Sequence, residues 1–153
     1  MSTLQGQTRT AMAPALPQTE TMPTSETQTH PGLNSEKKIL LVDDEADILK
    51  LIETFLRVSG FTVNSFCSGF DAIQSFVDQQ HDLVLTDINM PGLSGIILAD
   101  YIKSQNNEIP VFAITGNHFL AEDLFDEVIK KPLDLKVLLQ LIQAYIMEDS
   151  LHA

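Results

Sequence analysis

The chain has 153 residues, 44% of them apolar and 20% charged, enough for one core of ordinary size and too few for two large domains. Nine Lys and Arg against 21 Asp and Glu give a formal net charge of −12, a field that repels nucleic acid and anionic membrane surfaces. The single cysteine, Cys67, excludes an internal disulfide framework and a CxxC metal site, no apolar run approaches the ~18 residues of a membrane span, and the start lacks a basic-then-apolar leader. The expectation is a cytoplasmic protein that contacts neither membrane nor, directly, nucleic acid.

Residues 1–36 hold eight threonines, four glutamines and four of the seven prolines, with only scattered large apolar side chains. Such a segment cannot bury enough surface to offset its conformational entropy and reads as a disordered tail, more simply a solvated extension than a docking arm. The texture changes at Lys37, and a folded domain is expected over 37–149, with 150–153 as a C-terminal end. Ile39-Leu40-Leu41-Val42 reads as a buried strand. Ile48, Leu51, Ile52 and Phe55 then repeat at helical spacing until Gly60 supplies a stop. Residues 61–66 alternate as a second strand, and residues 71–79, with Ile73, Phe76 and Val77 on one face, form a second helix. Leu83-Val84-Leu85 returns as a central strand ending near Asp87. Gly92 and Gly95 punctuate a loop, Leu98, Tyr101 and Ile102 mark a third helix, and residues 111–114 form a fourth strand behind Pro110. Val128-Ile129 is a short fifth strand, and Leu135, Leu138, Leu139, Ile142 and Ile146 give a closing amphipathic helix. Strands alternating with helices in this way predict a parallel α/β sheet. Only residues 116–125 remain for the last crossover, near the ~10–12 minimum of a parallel connection, so the helix there must be shortened or missing.

In an open parallel sheet, ligands bind beyond the carboxyl ends of the strands. Here those ends are Asp43-Asp44-Glu45, Asp87, Thr115 and Lys130-Lys131-Pro132. Carboxylates gathered on one rim repel, and a hard divalent cation with oxygen ligands relieves the repulsion, Mg²⁺ being favoured where few protein ligands and retained water suffice. With the cation on one phosphoryl oxygen and a lysine on another, a further carboxylate can attack phosphorus in line. Asp87 is placed for that role. Taken singly, each residue has a plainer reading: Asp44, Glu45 or Asp47 as a helix N-cap, Asp87 as the start of a turn, Thr115-Gly116 as a strand exit, the lysines as solvated charges. Four such coincidences on one rim are harder to accept than one site.

These strings, Leu41-Val42-Asp43-Asp44-Glu45, Thr86-Asp87-Ile88-Asn89-Met90-Pro91-Gly92, Ile114-Thr115-Gly116 and Lys131-Pro132, resemble the response-regulator receiver domain of two-component signalling. The resemblance implies a flavodoxin-like (βα)5 fold, a doubly wound, parallel, five-stranded sheet, here with its fourth helix shortened or absent. It implies Mg²⁺ held by Asp43, Asp44, Asp87 and the backbone carbonyl of Asn89, with Asp44 the usual direct ligand. It also implies Asp87 as phosphoacceptor, Thr115 turning its hydroxyl toward the phosphoryl group, Lys131 pairing with that group, and a cis Lys131–Pro132 bond. The implied partners are a sensor histidine kinase or histidine phosphotransfer protein and an unknown downstream protein. The only chemistry would be self-phosphorylation and autodephosphorylation, so no enzyme in the ordinary sense, and the expected mode is a stand-alone receiver acting through protein–protein contact.

One departure stands out. The resemblance places a Tyr or Phe three residues before the lysine as a moving switch, and this chain has Val128, which is short and stiff. A phosphorylation-independent protein-binding module with a degenerate switch is therefore the alternative. An aspartate-nucleophile phosphohydrolase of the haloacid dehalogenase type is opposed by Asn89, which cannot act as general acid-base two residues after Asp87. A flavin site is opposed by the acidic loop after the first strand. Phe119, Leu120, Leu124 and Phe125 in the short crossover either cap the sheet or form a docking patch that orders on phosphorylation. Cys67 reads as a buried or inert thiol, and His30, His81, His118 and His152 lack metal-ligand spacing. Phe55, Phe61, Phe66, Phe70 and Phe76 read as core.

Overall fold

Short apolar runs that are buried on both faces suit the middle of a parallel sheet. The computed structural model, which describes residues 36–117 and 122–148, forms five such strands. They are β1 (Lys38–Val42), β2 (Thr62–Phe66), β3 (Leu83–Asp87), β4 (Val111–Thr115) and β5 (Glu127–Lys130). The helices between and after them are α1 (Ala46–Val58), α2 (Gly69–Asp78), α3 (Gly95–Gln105) and α4 (Leu135–Glu148). All strand pairs are parallel, in the order β2-β1-β3-β4-β5. The order reverses direction between β1 and β3, which opens a crevice at their carboxyl ends. The tail 1–36, apart from Glu36, and the end 150–153 lie outside the described residues.

Strand side chains alternate between two cores. On one face Ile39, Leu41, Leu83, Leu85, Phe112 and Ile114 meet Leu49, Ile52 and Leu56 of α1 and Leu138, Ile142 and Ile146 of α4. On the other, Leu40, Val42, Val84, Val111 and Ala113 meet Ala72 of α2 and Leu98, Ala99 and Ile102 of α3. Each fully buried Leu, Ile or Phe contributes roughly 1.5–3 kcal/mol.

The helices are where expected, but two are rotated. On α1 the inward residues are Leu49, Ile52 and Leu56, while Leu51 is 57% exposed. Apolar residues occupy seven positions between 48 and 58, so the stripe is too wide to fix the phase. On α2 the small residues Gly69, Ala72 and Ser75 face the sheet, Ile73 and Phe76 flank them, and Val77 is 62% exposed. A side chain at Gly69 would press on Leu93, with a Cβ only 2.7 Å from its Cδ2. Close approach therefore selects small residues over bulky ones. For the same reason Phe70, expected in the core, is 64% exposed, lying beside Gly92. Phe55, Phe61, Phe66 and Phe76 do pack partly buried against the cores. Cys67, read as buried or inert, is exposed.

Among the described residues of the β4–β5 crossover, the helical element is one 3-10 turn, Glu122–Leu124. Phe125 is buried against the α3 side of the sheet with Leu124 partly buried beside it, as the capping reading requires, whereas Phe119 and Leu120 lie outside the described residues. A lock closes this segment from below: the Lys103 ammonium donates to Asp126 (2.7 Å) and to the Ile109 carbonyl (2.9 Å), and Asp126 also accepts the Val111 N–H (2.7 Å).

Candidate functional site

Four strand ends deliver the site. At the end of β1, Asp43 is fully buried; its Oδ1 accepts the Glu45 N–H at 2.8 Å and its own N–H donates to the Phe66 carbonyl at 3.2 Å. That turn supplies the entry to α1, and the residue at the helix start, Glu45, makes no side-chain cap, so the plain capping reading of these acids does not account for them. Asp44 follows, exposed to solvent. Asp87 ends β3, 4% exposed, opposite Ile114 of β4. Its backbone is fixed from three sides: the Thr86 hydroxyl donates to the Asp87 carbonyl (2.9 Å), Ile88 N–H to the Ile114 carbonyl (3.2 Å), and Gly95 N–H to the Ile88 carbonyl (3.0 Å). A Cβ at Gly95 would collide with the Asp87 carbonyl oxygen, so glycine is required at this close approach. Gly92, at φ 81°, supplies the left-handed turn between Asp87 and α3. Asn89 is exposed, and its backbone N–H favours the ionised Asp87.

Lys131 reaches the rim from the end of β5, its N–H donating to the Thr115 carbonyl at 2.9 Å and its bond to Pro132 cis. The ammonium lies 3.0 Å from Glu45 Oε1, 3.2 Å from Asp87 Oδ1 and 3.4 Å from Asp43 Oδ2. Burial works against its charge, but the carboxylates of Glu45, Asp43 and Asp87 together outweigh that and raise its pKa. Asp43 and Asp87 are each shifted upward, first by burial and then by a neighbouring carboxylate, with Lys131 only partly compensating.

The structure thus brings Asp43, Asp44, Asp87 and Lys131 together. Thr115 is nearby and buried, but its hydroxyl is engaged within its own loop, donating to the Asn117 carbonyl (3.0 Å) and accepting the Asn117 N–H (3.2 Å). Glu45 as a partner of Lys131 was missed from the sequence. Its place beside the acidic pair was the available signal, obscured because 86 residues separate it from the lysine.

One oxygen each from Asp43, Asp44 and Asp87 falls within 4.8 Å of the others. Asp43 Oδ2 is buried with no hydrogen-bond partner, since Lys131 stands beside it outside hydrogen-bonding geometry. An all-oxygen, like-charged set with an orphaned carboxylate oxygen suits a small hard cation such as Mg²⁺.

Known proteins bear on this arrangement. A family model described as the response regulator receiver domain matches residues 39–143. The transcriptional regulatory protein PrrA of Mycobacterium leprae is 28% identical over 118 residues, covering 73% of this chain and 51% of PrrA. The phosphoglycerate transport system transcriptional regulatory protein PgtA of Salmonella typhimurium is 33% identical over 117 residues, 72% of this chain and 28% of PgtA. The chain therefore spans about half the length of PrrA, and less of PgtA. Among solved structures, a response regulator receiver domain protein from Clostridium thermocellum aligns with a TM-score of 0.70 at 29% identity, covering 76% of this chain and 99% of that one. The response regulator TrrA of Thermotoga maritima, solved in complex with Mg(2+)-BeF, aligns with a TM-score of 0.67 at 28% identity over 71% and 98%. Among the described residues, no helix is long and apolar enough to cross a membrane. With its (βα)5-type sheet, shortened last crossover and acidic rim at the β1/β3 switch point, the chain belongs to the response regulator receiver domain family.

Proposed function

We propose that Asp87 is the phosphoacceptor of a two-component phosphorelay. The observation that carries this reading is the convergence of Asp43, Glu45 and Asp87 on the Lys131 ammonium at the end of the sheet, with Asp44 beside them. An Asp87 carboxylate oxygen attacks the phosphorus of a phosphohistidine on a sensor kinase or phosphotransfer protein. A P–O bond forms, the P–N bond breaks, and the departing imidazole recovers a proton from solvent. Asp43, Asp44, Asp87 and the Asn89 carbonyl hold Mg²⁺, which when bound offsets the negative charge that otherwise keeps a phosphoryl group from this rim. Lys131, already held charged, exchanges a carboxylate for a phosphoryl oxygen. Thr115 leaves Asn117 to donate its hydroxyl to another.

Beyond this transfer and slow hydrolysis of the acyl phosphate the domain is not an enzyme. It acts in the cytoplasm through protein contacts, and the chain's net charge of −12 disfavours direct contact between the domain and nucleic acid. Val128, half-buried in the α3-side core, favours one competing reading, a receiver-like binding module that ignores phosphorylation. Incubation with Mg²⁺ and acetyl phosphate followed by intact-mass measurement separates the two: a single phosphoryl adduct on the native chain and none on Asp87→Ala supports the phosphoacceptor, and an unmodified native chain supports the module.

A further inference from the structure

Glu45 stands at the start of α1 with its backbone fixed from two sides: its N–H donates to Asp43 Oδ1 at 2.8 Å, and its carbonyl accepts the Leu49 N–H at 2.9 Å. The side chain is left to choose its own partner. It makes no bond to the helix it opens, and glutamate is not among the residue types that favour this position. It reaches instead across the rim to the Lys131 ammonium, 3.0 Å away, the shortest of the three carboxylate contacts that this lysine makes.

Those three carboxylates are not equivalent. The side chains of Asp43 and Asp87 are 0% and 6% exposed, so withdrawing Lys131 from either leaves a buried charge, whereas Glu45, 60% exposed, is rehydrated as soon as the lysine leaves. Asp43 and Asp87 also belong, with Asp44, to the oxygen cluster that suits a cation, and Glu45 stands outside it. Glu45 is therefore the carboxylate that Lys131 surrenders at least cost.

We propose that Glu45 is a positioning residue that parks Lys131 in the resting rim and competes with the phosphoryl group for its ammonium. The inference rests on Asp87 as phosphoacceptor and names the contact given up when a phosphoryl group arrives. Glu45 thus tunes how readily the rim accepts that group while touching neither phosphorus nor cation. Its negative charge would also repel an incoming phosphoryl group, so charge and reach have to be separated.

Glu45→Asp and Glu45→Gln separate them. Aspartate keeps the charge but is one methylene shorter and, as a favoured N-cap, turns its carboxylate back onto α1; glutamine keeps the length and loses the charge. Beryllofluoride, a phosphoryl analogue, is titrated in saturating Mg²⁺ into the ¹⁵N-labelled full chain while the Lys131 Nζ resonance and the backbone amides are followed. Both variants should bind it about two- to fivefold more tightly than the native chain, the worth of a partly exposed ion pair. In chelator, the Nζ resonance of each variant should differ from the native one, and the difference should largely vanish once the analogue is bound. Tightening by Glu45→Gln alone would assign the effect to charge and overturn the competition for Lys131. Equal or weaker binding in both variants, or an Nζ resonance unmoved in chelator, would overturn it too. Acetyl-phosphate labelling read by intact mass guards the underlying reading. A native chain that takes neither beryllofluoride nor a phosphoryl group refutes Asp87 as acceptor and the competition with it, whereas labelled chains of unaltered affinity refute the competition alone.

Discussion

Lys131→Met keeps most of the aliphatic stem and removes the ammonium that, among the described residues, pairs with Asp43 and Asp87. At an effective dielectric near 20, a unit pair 3.2–3.4 Å apart has roughly 5 kcal/mol of gross attraction. Hydration of the lysine, 21% exposed in the fold, offsets part of it, and removing one partner of a buried pair has a typical net cost of about 3–5 kcal/mol. A ceiling comes from protonation. A stranded carboxyl whose unfolded pKa is 3.8 can be neutralised at pH 7 for about 4 kcal/mol, and at pH 5 for about 1.6 kcal/mol. The expected loss is thus about 3–4 kcal/mol at pH 7 and under about 2 kcal/mol at pH 5. The sign follows from the raised carboxyl pKa values: the folded state holds its protons more tightly than the unfolded chain, so stability is full below pH 3.8 and falls as pH rises through the folded pKa. Removing Lys131 raises that folded pKa further and widens the deficit toward neutral pH. The chain has no tryptophan, so urea unfolding followed by far-ultraviolet circular dichroism, in chelator at both pH values, is the suitable assay. A loss below about 1 kcal/mol at pH 7, inside the range of an exposed ion pair, or a gap that does not shrink at pH 5, would refute the coupling of these charges.

Three further outcomes follow from the packing and the buried polar groups. Gly95→Ala forces its methyl against the Asp87 carbonyl and should destabilise by about 1–3 kcal/mol while slowing acetyl-phosphate labelling, measured by melting and by intact mass. His81, with a pKa below 6.5 in the fold, stays neutral where the unfolded chain protonates; stability should fall as pH drops from 7 through 6.5 and below, and His81→Phe should flatten that slope in thermal melts. Asp126→Ala leaves the Val111 N–H without its acceptor and takes from Lys103 its carboxylate, though not its bond to the Ile109 carbonyl, and should cost about 2 kcal/mol, with amide exchange rising first along β5; unchanged exchange there would show that this lock is not what holds the edge strand.

Val128 and the crossover bear on how a signal leaves the domain. Val128 packs partly buried against the α3 side, and neighbouring Phe125 fills the position of a core residue. Tyr145 of α4 instead donates to the Asp126 carbonyl or to Glu127 Oε1, both at 3.1 Å, and sets its ring edge-on to Phe112. The aromatic group beside β5 is therefore Tyr145, supplied by α4 and held by Asp126, Glu127 and Phe112, and position 128 carries no ring that could move between buried and exposed states.

The order of strands and helices was legible because it depends on short-range signals: apolar runs of strand length, helical spacing, Gly60 and Pro110 as punctuation. The rim was legible for a related reason. Parallel α/β chains expose the residues just after each strand, so Asp43, Asp87, Thr115 and Lys131 could be placed on one edge before any contact was known. The tertiary structure alone decided the rest. Which of the many apolar residues of α1 and α2 turn inward was settled by how closely each helix approaches the sheet, which is why Leu51, Phe70 and Val77 face solvent. The bond from Lys131 to Glu45, the hold of Asn117 on the Thr115 hydroxyl and the contact of Asn64 with His81 arise from groups brought together across the fold or within a single loop turn. Periodicity and propensity act over a few residues, whereas these contacts exist only after β1, β3 and β5 have been aligned side by side.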